Sequence, residues 1–235
     1  RLRRQLHMCI RESSIAFTKQ DSKRFDDWKN DSTTKASVSA TYPHEVLACD
    51  DDKLAEKMWN NLPDLLSESN ENILPMIDTS GSMFGQPLAI AISLGMYLAE
   101  RSKGEFNDMF LTFDDNPELV KITGDSVLTR LSKIRSSNWG MNTDFEAAYD
   151  LLLTSAKMWN VKPEDMPTML ICISDMQFDS ASHATPQTIL NNMSNKFNKA
   201  GYKVPKLVFW NVRASSSNMM ASPVDDLTPN SALIS

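Results

Sequence analysis

The residues that invite chemistry are Asp78, Ser80 and Ser82, in the stretch "NILPMIDTSGSMFGQPLA" from 72 to 89. An apolar run ends there in an acid, and two hydroxyls follow at alternate positions. Two later boundaries carry oxygen donors of the same kind. In "NWGMNTDF", Thr143 and Asp144 stand directly before a helical pattern, and in "ICISDMQFD", Ser174 and Asp175 close an apolar run. A hard cation such as Mg²⁺ takes an octahedron of oxygens and usually keeps some waters. Asp78 and Asp175 would supply the negative charge, Ser80 and Ser82 neutral hydroxyls, and Thr143 a fifth oxygen. With so few anionic ligands the ion stays electrophilic, so an acidic side chain of a partner can fill its open position. Mg²⁺ is the expected ion, with Mn²⁺ or Ca²⁺ as substitutes. Gly81 is read as the residue that permits a tight loop.

For each of these residues a plainer role competes. Asp78, Ser80 and Ser82 could form an acidic turn capping the helix that follows. Thr143 could be an N-cap, since Glu146 sits where a capping box would place it. Asp144 and Ser174 are expected beside the ligands rather than among them, and Asp179 is expected there or in solvent. Trp139 is either an exposed aromatic at the rim or a loop anchor. Asp114 and Asp115 read as turn formers. His7, His44 and His183 share no ligand spacing.

An enzymatic role is not expected, and no catalytic residue is assigned. An aspartyl phosphoryl-transfer site would want a second acid at position 80, which is Ser, and "DTSGS" lacks the leading Gly of a hydrolase elbow.

The elements that must position these residues form an alternation. Short apolar runs at 73–78, 108–113, 118–122, 168–174 and 206–211 read as strands. Helical patterns at 86–102, 125–134, 144–159 and 185–200 lie between them. This order predicts an α/β domain with a largely parallel sheet and helices on both faces. The turn between 108–113 and 118–122 is too short for a parallel crossover, so that strand must pair antiparallel, at an edge. Ligands in such sheets bind beyond the carboxyl ends of the strands, where the strand order reverses.

Upstream, residues 1–66 read as an α-helical lead-in, the end of a truncated helical region. It has a helix-like 1–18, a polar linker at 19–41, and an amphipathic helix at 51–66. The α/β domain is expected over 70–235.

Composition sets limits on the rest. The chain has 235 residues, 41% hydrophobic and 23% charged, with only 7 Gly and 11 Pro, as expected of a globular protein rather than a low-complexity one. Its longest uncharged apolar run, 87–99, is too short to span a bilayer. Cys9, Cys49 and Cys172 are an odd number without paired spacing, which suits reduced thiols in a cytoplasmic protein. Fourteen methionines suit an adaptable core. The net charge of −6 is uneven: residues 1–35 hold nine Lys or Arg against five acids, and the remainder 15 against 25. An acidic body argues against a nucleic-acid surface on the body itself.

Taken together, Asp78-x-Ser80-x-Ser82, a distant Thr143 and a distant Asp175 resemble the von Willebrand factor A fold with its metal-ion-dependent adhesion site. That resemblance implies a Rossmann-like sheet and a metal-dependent protein-interaction module. "DTSGSMFGQPLAIAISLGMYLAE", "WGMNTDFEAAYDLLL" and "ISDMQFDSA" further resemble the C-terminal domain of the domain-of-unknown-function 2828 family and the A domain of the Ro/TROVE ribonucleoproteins. The latter likeness implies an alternative, in which the missing helical region binds RNA and the A domain is regulatory.

Overall fold

The computed structural model of the chain describes residues 21–38, 41–112, 116–137, 144–175, 186–213 and 231–234, the last four and 186–190 by backbone only. It divides into two compact units. The first comprises residues 1–63 with 124–132, and the second residues 64–123 with 133–235. The expected helix at 1–18 lies outside the described residues.

In the first unit, α1 (Ser22–Asn30), α2 (Pro43–Val46) and α3 (Asp52–Asn60) are short, and the two longer ones, α1 and α3, are capped by acids. Asp21 accepts from Arg24 N at 3.0 Å and Asp51 from Leu54 N at 3.0 Å, each meeting an orphan donor of a helix start. Thus part of the segment expected as a polar linker is helical. Its support is tertiary. The buried Lys57 ammonium donates to Trp28 O at 2.8 Å, Asp31 O at 2.6 Å and Thr34 Oγ1 at 2.9 Å, and Lys29 pairs with Asp51 at 2.6 Å. The helix expected over 51–66 stops at Asn60, ahead of Pro63, which disfavours helical geometry in the residue before it. Glu56 accepts from Val127 N and pairs with Arg130 at 3.4 Å, so the start of α5 (Val127–Arg135) belongs to this unit.

The second unit is built on a six-stranded sheet of order β3-β2-β1-β4-β5-β6. Its strands are β1 (Ile73–Ile77), β2 (Met109–Thr112), β3 (Leu119–Lys121), β4 (Met169–Ser174), β5 (Lys206–Asn211) and β6 (Ser231–Ile234). All neighbours pair parallel except β2 with β3, as the short turn required. The expected α/β class, mostly parallel with one antiparallel edge strand, is therefore the observed one. The sequence reading did not include β6, which adds a parallel strand beside β5.

Alternation along the strands sends successive side chains to opposite faces. Leu74, Met76, Leu170, Cys172, Leu207 and Phe209 pack with Tyr149, Leu152 and Phe197 in one buried cluster. That face is covered by α6 (Phe145–Met158) and α7 (Pro186–Lys199). The residues in between turn toward α4 (Gln86–Arg101), where a Cβ built on Gly95 would lie 2.5 Å from Ile77 Cδ1 and 3.9 Å from Ile173 Cδ1. Helices thus lie on both faces, with α4 pressed close to the ends of β1 and β4. No helix among the described residues is long and apolar enough to cross a membrane.

Candidate metal centre at the switch in strand order

The order of the strands reverses between β1 and β4, and at that point each delivers an acid from its carboxyl end. Five registered pairs hold the two strands together, from Ile73 with Met169 to Ile77 with Ile173. The ladder runs one residue further, Asp78 N donating to Ile173 O at 3.1 Å. Asp78 is 1% exposed. Its Oδ1 accepts from Ser80 N at 2.9 Å, a local turn of the kind Asp favours, and its Oδ2 accepts from Ser174 Oγ.

From Ser80 the chain makes a single 3₁₀ turn, Gly81–Met83, that drives Met83 fully into the core. This brings Ser80 Oγ to 3.1 Å from Ser82 Oγ, and Ser82 Oγ donates to Asp175 Oδ1 at 3.2 Å. The side chain of Asp175 is wholly buried. One hydrogen-bonded network therefore links Asp78, Ser80, Ser82, Ser174 and Asp175, although the last two lie nearly a hundred residues on.

A third strand contributes a residue that sequence reasoning missed. Arg213 follows the end of β5, its backbone N donating to Asn211 Oδ1 at 2.9 Å. Its Nη1 donates to Asp175 Oδ2 at 3.1 Å and to Ser82 O at 3.0 Å. The available signal was a lone basic residue just beyond a strand that neighbours the strand bearing Asp175.

Burial pushes the Asp78 carboxyl above its ordinary value. The hydrogen bonds from Ser174 and Ser80 pull the other way, and the nearby charge of Asp175 adds to the rise. Burial also raises the Cys172 thiol well above its ordinary range, with a further contribution from Asp78.

Several plainer readings are decided by the geometry. The residue before α4 is Gly85, and α4 has no side-chain cap, so Asp78, Ser80 and Ser82 do not cap it. The N-cap of α6 is Asp144 rather than Thr143, with Asp144 accepting from Ala147 N at 2.9 Å. Gly81 is not the conformationally special glycine: a Cβ there would meet nothing within 4 Å, whereas Gly85 has a φ of +94°. A left-handed φ of that size is what glycine supplies without strain. Thr143, Trp139, Asp114, Asp115, Asp179, His7 and His183 lie outside the described residues. Phe84, two residues past Ser82, is 87% exposed.

The donors present fit a hard divalent cation. The side-chain donors that converge, Asp78, Ser80, Ser82 and Asp175, are all oxygens, two of them buried carboxylates, and no group of three or more His, Cys, Asp or Glu gathers among the described residues. Thr79 Oγ1, inside the same loop, is buried without a hydrogen-bond partner among the described residues.

Fold and site together define a class: an α/β domain with a buried centre of two carboxylates and hydroxyls at its switch point, closed by one arginine. The chain belongs to the family described as a domain of unknown function, DUF7788, which it matches over residues 72–235. It is 32% identical over 194 residues to Uncharacterized protein L728 of Acanthamoeba polyphaga mimivirus. That match takes in 80% of this chain and 34% of the viral protein, so the chain spans about a third of that relative's length. Among solved structures it is similar to the VWA domain of SpRpn10, at 12% identity and a TM-score of 0.38, over 70% of this chain and 86% of that one.

Proposed function

We propose that this domain is a metal-dependent protein-interaction module of the von Willebrand A type, and not an enzyme. Asp78, Ser80, Ser82 and Asp175, with Thr143 from the neighbouring loop, would hold a divalent ion, Mg²⁺ in the first instance. Bound there, the ion supplies an electrophilic position for a carboxylate of a protein partner or of another domain. The observation that carries this reading is the convergence of two buried carboxylates and the Ser80 and Ser82 hydroxyls at one point.

The chain's own residues do the arranging. Ser174 and Ser80 N orient Asp78, Ser82 ties the first loop to Asp175, and Met83 anchors that loop in the core. Phe84 stands exposed on the same loop and would offer an apolar contact to a partner. The hydroxyls would serve as neutral oxygens: among the described residues, no His and no Lys hydrogen-bonds to the Ser80 or Ser82 hydroxyl to activate a nucleophile.

Calorimetric titration of Mg²⁺ or Mn²⁺ into wild type and Asp78→Ala tests the reading. Binding by wild type and its loss in the variant is expected; equal affinity in the two sinks the proposal.

A further inference from the structure

The interaction of Arg213 with Asp175 has no place in a simple five-oxygen cup. We propose that Arg213 is a built-in cation of the switch-point site, holding Asp175 in position while cancelling one of the site's two negative charges. This rests on the metal-binding reading above and specifies how the site is tuned.

The geometry supports both parts. Asp175 is wholly buried on its side chain, and its two oxygens are engaged by different partners, Oδ1 by Ser82 Oγ and Oδ2 by Arg213. The same Nη1 also donates to Ser82 O, so the guanidinium clamps the Asp175 carboxylate to the loop that carries the hydroxyls. Arg213 is itself placed by the sheet: Val212 N donates to Ser174 O at 3.0 Å, and Asn211 Oδ1 receives the Arg213 N–H. Side-chain exposure of 45% leaves the guanidinium at the surface of the site, with its carboxylate partner beneath it.

The consequence follows from charge. Asp78 and Asp175 together bring two negative charges, and an Arg, which stays protonated at all accessible pH, returns one positive charge. A divalent ion entering such a site leaves it net positive by one, where two uncompensated carboxylates would leave it neutral. Arg213 therefore weakens the hold on the metal and strengthens the attraction of the loaded site for an anion.

The experiment uses the full chain and Mn²⁺, followed by calorimetry and by electron paramagnetic resonance of the bound ion, with acetate as a minimal carboxylate probe. Neutral replacements Arg213→Gln and Arg213→Met should bind Mn²⁺ about tenfold more tightly than wild type, the scale expected for removing one nearby like charge. Their Mn²⁺-loaded forms should bind acetate more weakly. Arg213→Lys, which keeps the charge, should stay near wild type in both measurements. A purely structural role for Arg213 would lower both affinities together, because a loosened site holds neither ligand well. Metal affinity that is unchanged or reduced in both neutral variants, with wild type binding normally, overturns the role of Arg213 and leaves the metal site standing. Failure of every version, wild type included, to take up Mn²⁺ removes the metal reading and this proposal with it.

Discussion

Replacing Asp78 by Asn separates a metal ligand from a structural hub. In the metal-free protein the change is mild. Asn keeps the side-chain length and an oxygen for the Ser80 N–H at 2.9 Å. Its amide faces Ser174 Oγ, a hydroxyl that can rotate to accept instead of donate. Both hydrogen bonds weaken from charged to neutral, which together costs about 1–2 kcal/mol, and removing a buried charge beside Asp175 offsets part of that. Metal-free stability should therefore stay within about 1 kcal/mol of wild type.

With metal the two proteins should part. At a Mg²⁺ concentration about a hundredfold above Kd, a site present only in the folded state stabilises by about 2.7 kcal/mol. For a unit of this size that corresponds to a rise in Tm of roughly 5–11 °C. The assay is thermal melting in EDTA and in MgCl₂ at matched ionic strength. Wild type should show the rise, and Asp78→Asn less than about a tenth of it. An equal Mg²⁺ shift in both proteins refutes the assignment. So does a metal-free Asp78→Asn destabilised by more than about 3 kcal/mol, because Asp78 would then be holding the loop rather than waiting for an ion.

Other perturbations probe neighbouring features. Burial raises Asp78 above its ordinary 3.8, so the folded metal-free protein binds a proton the unfolded chain has released; this stabilisation is full below 3.8 and fades as pH rises through the folded value, and urea titrations across that window should show wild type losing stability relative to Asp78→Asn. Phe84→Ser should leave Mn²⁺ affinity and Tm unchanged, since the ring is 87% exposed, yet reduce capture of a carboxylate-bearing partner. Gly95→Val should cost about 1–3 kcal/mol in urea unfolding, because its Cβ would sit 2.5 Å from Ile77 Cδ1 at the strand end that carries Asp78. Cys172, fully buried with its thiol pushed well up, should resist a thiol reagent at pH 8 until the protein unfolds, while the half-buried Cys49 reacts earlier by mass spectrometry.

The strands of the central sheet were legible because each is a short apolar run ended by a polar residue, the pattern that burial on both faces imposes. The antiparallel edge was legible because geometry forbids a parallel crossover in so short a turn. The helix α1 was not. Its residues include only Phe25 and Trp28 as apolar members, and what holds it are Lys57 and Asp51, some twenty to thirty positions away. The strand β6 is four residues long, and its pairing with β5 carries no local signature. At the site, Asp78, Ser80, Ser82 and Asp175 were legible as oxygen donors at strand ends. Arg213 was not, because its role depends on β5 lying beside β4, and nothing in the local sequence states that adjacency. Gly85 rather than Gly81 carries the unusual backbone for a similar reason. The loop's path is set by the burial of Met83, after which only a left-handed residue can turn the chain into α4.

The site and the core cannot be varied independently. Ile77 pairs with Ile173 in register, so Asp78 stands beside Ser174, and Ser174 pairs with Asn211, which places Arg213 against Asp175. A slip of one residue between β1 and β4 would turn one strand over, carrying Met76 or Cys172, whichever lies on the strand that moves, from the face covered by α6 and α7 to the face covered by α4. Both residues are fully buried, so such a slip would empty one half of the core and crowd the other. The apolar packing that selects the register is thus the same interaction that brings two carboxylates and a guanidinium to one point. It follows that the electrostatic cost of burying Asp78 next to Asp175 is borne by the packing of the sheet and not by the loop. On the metal reading proposed above, a cation would meet carboxylates and hydroxyls that the register of the sheet has already brought together.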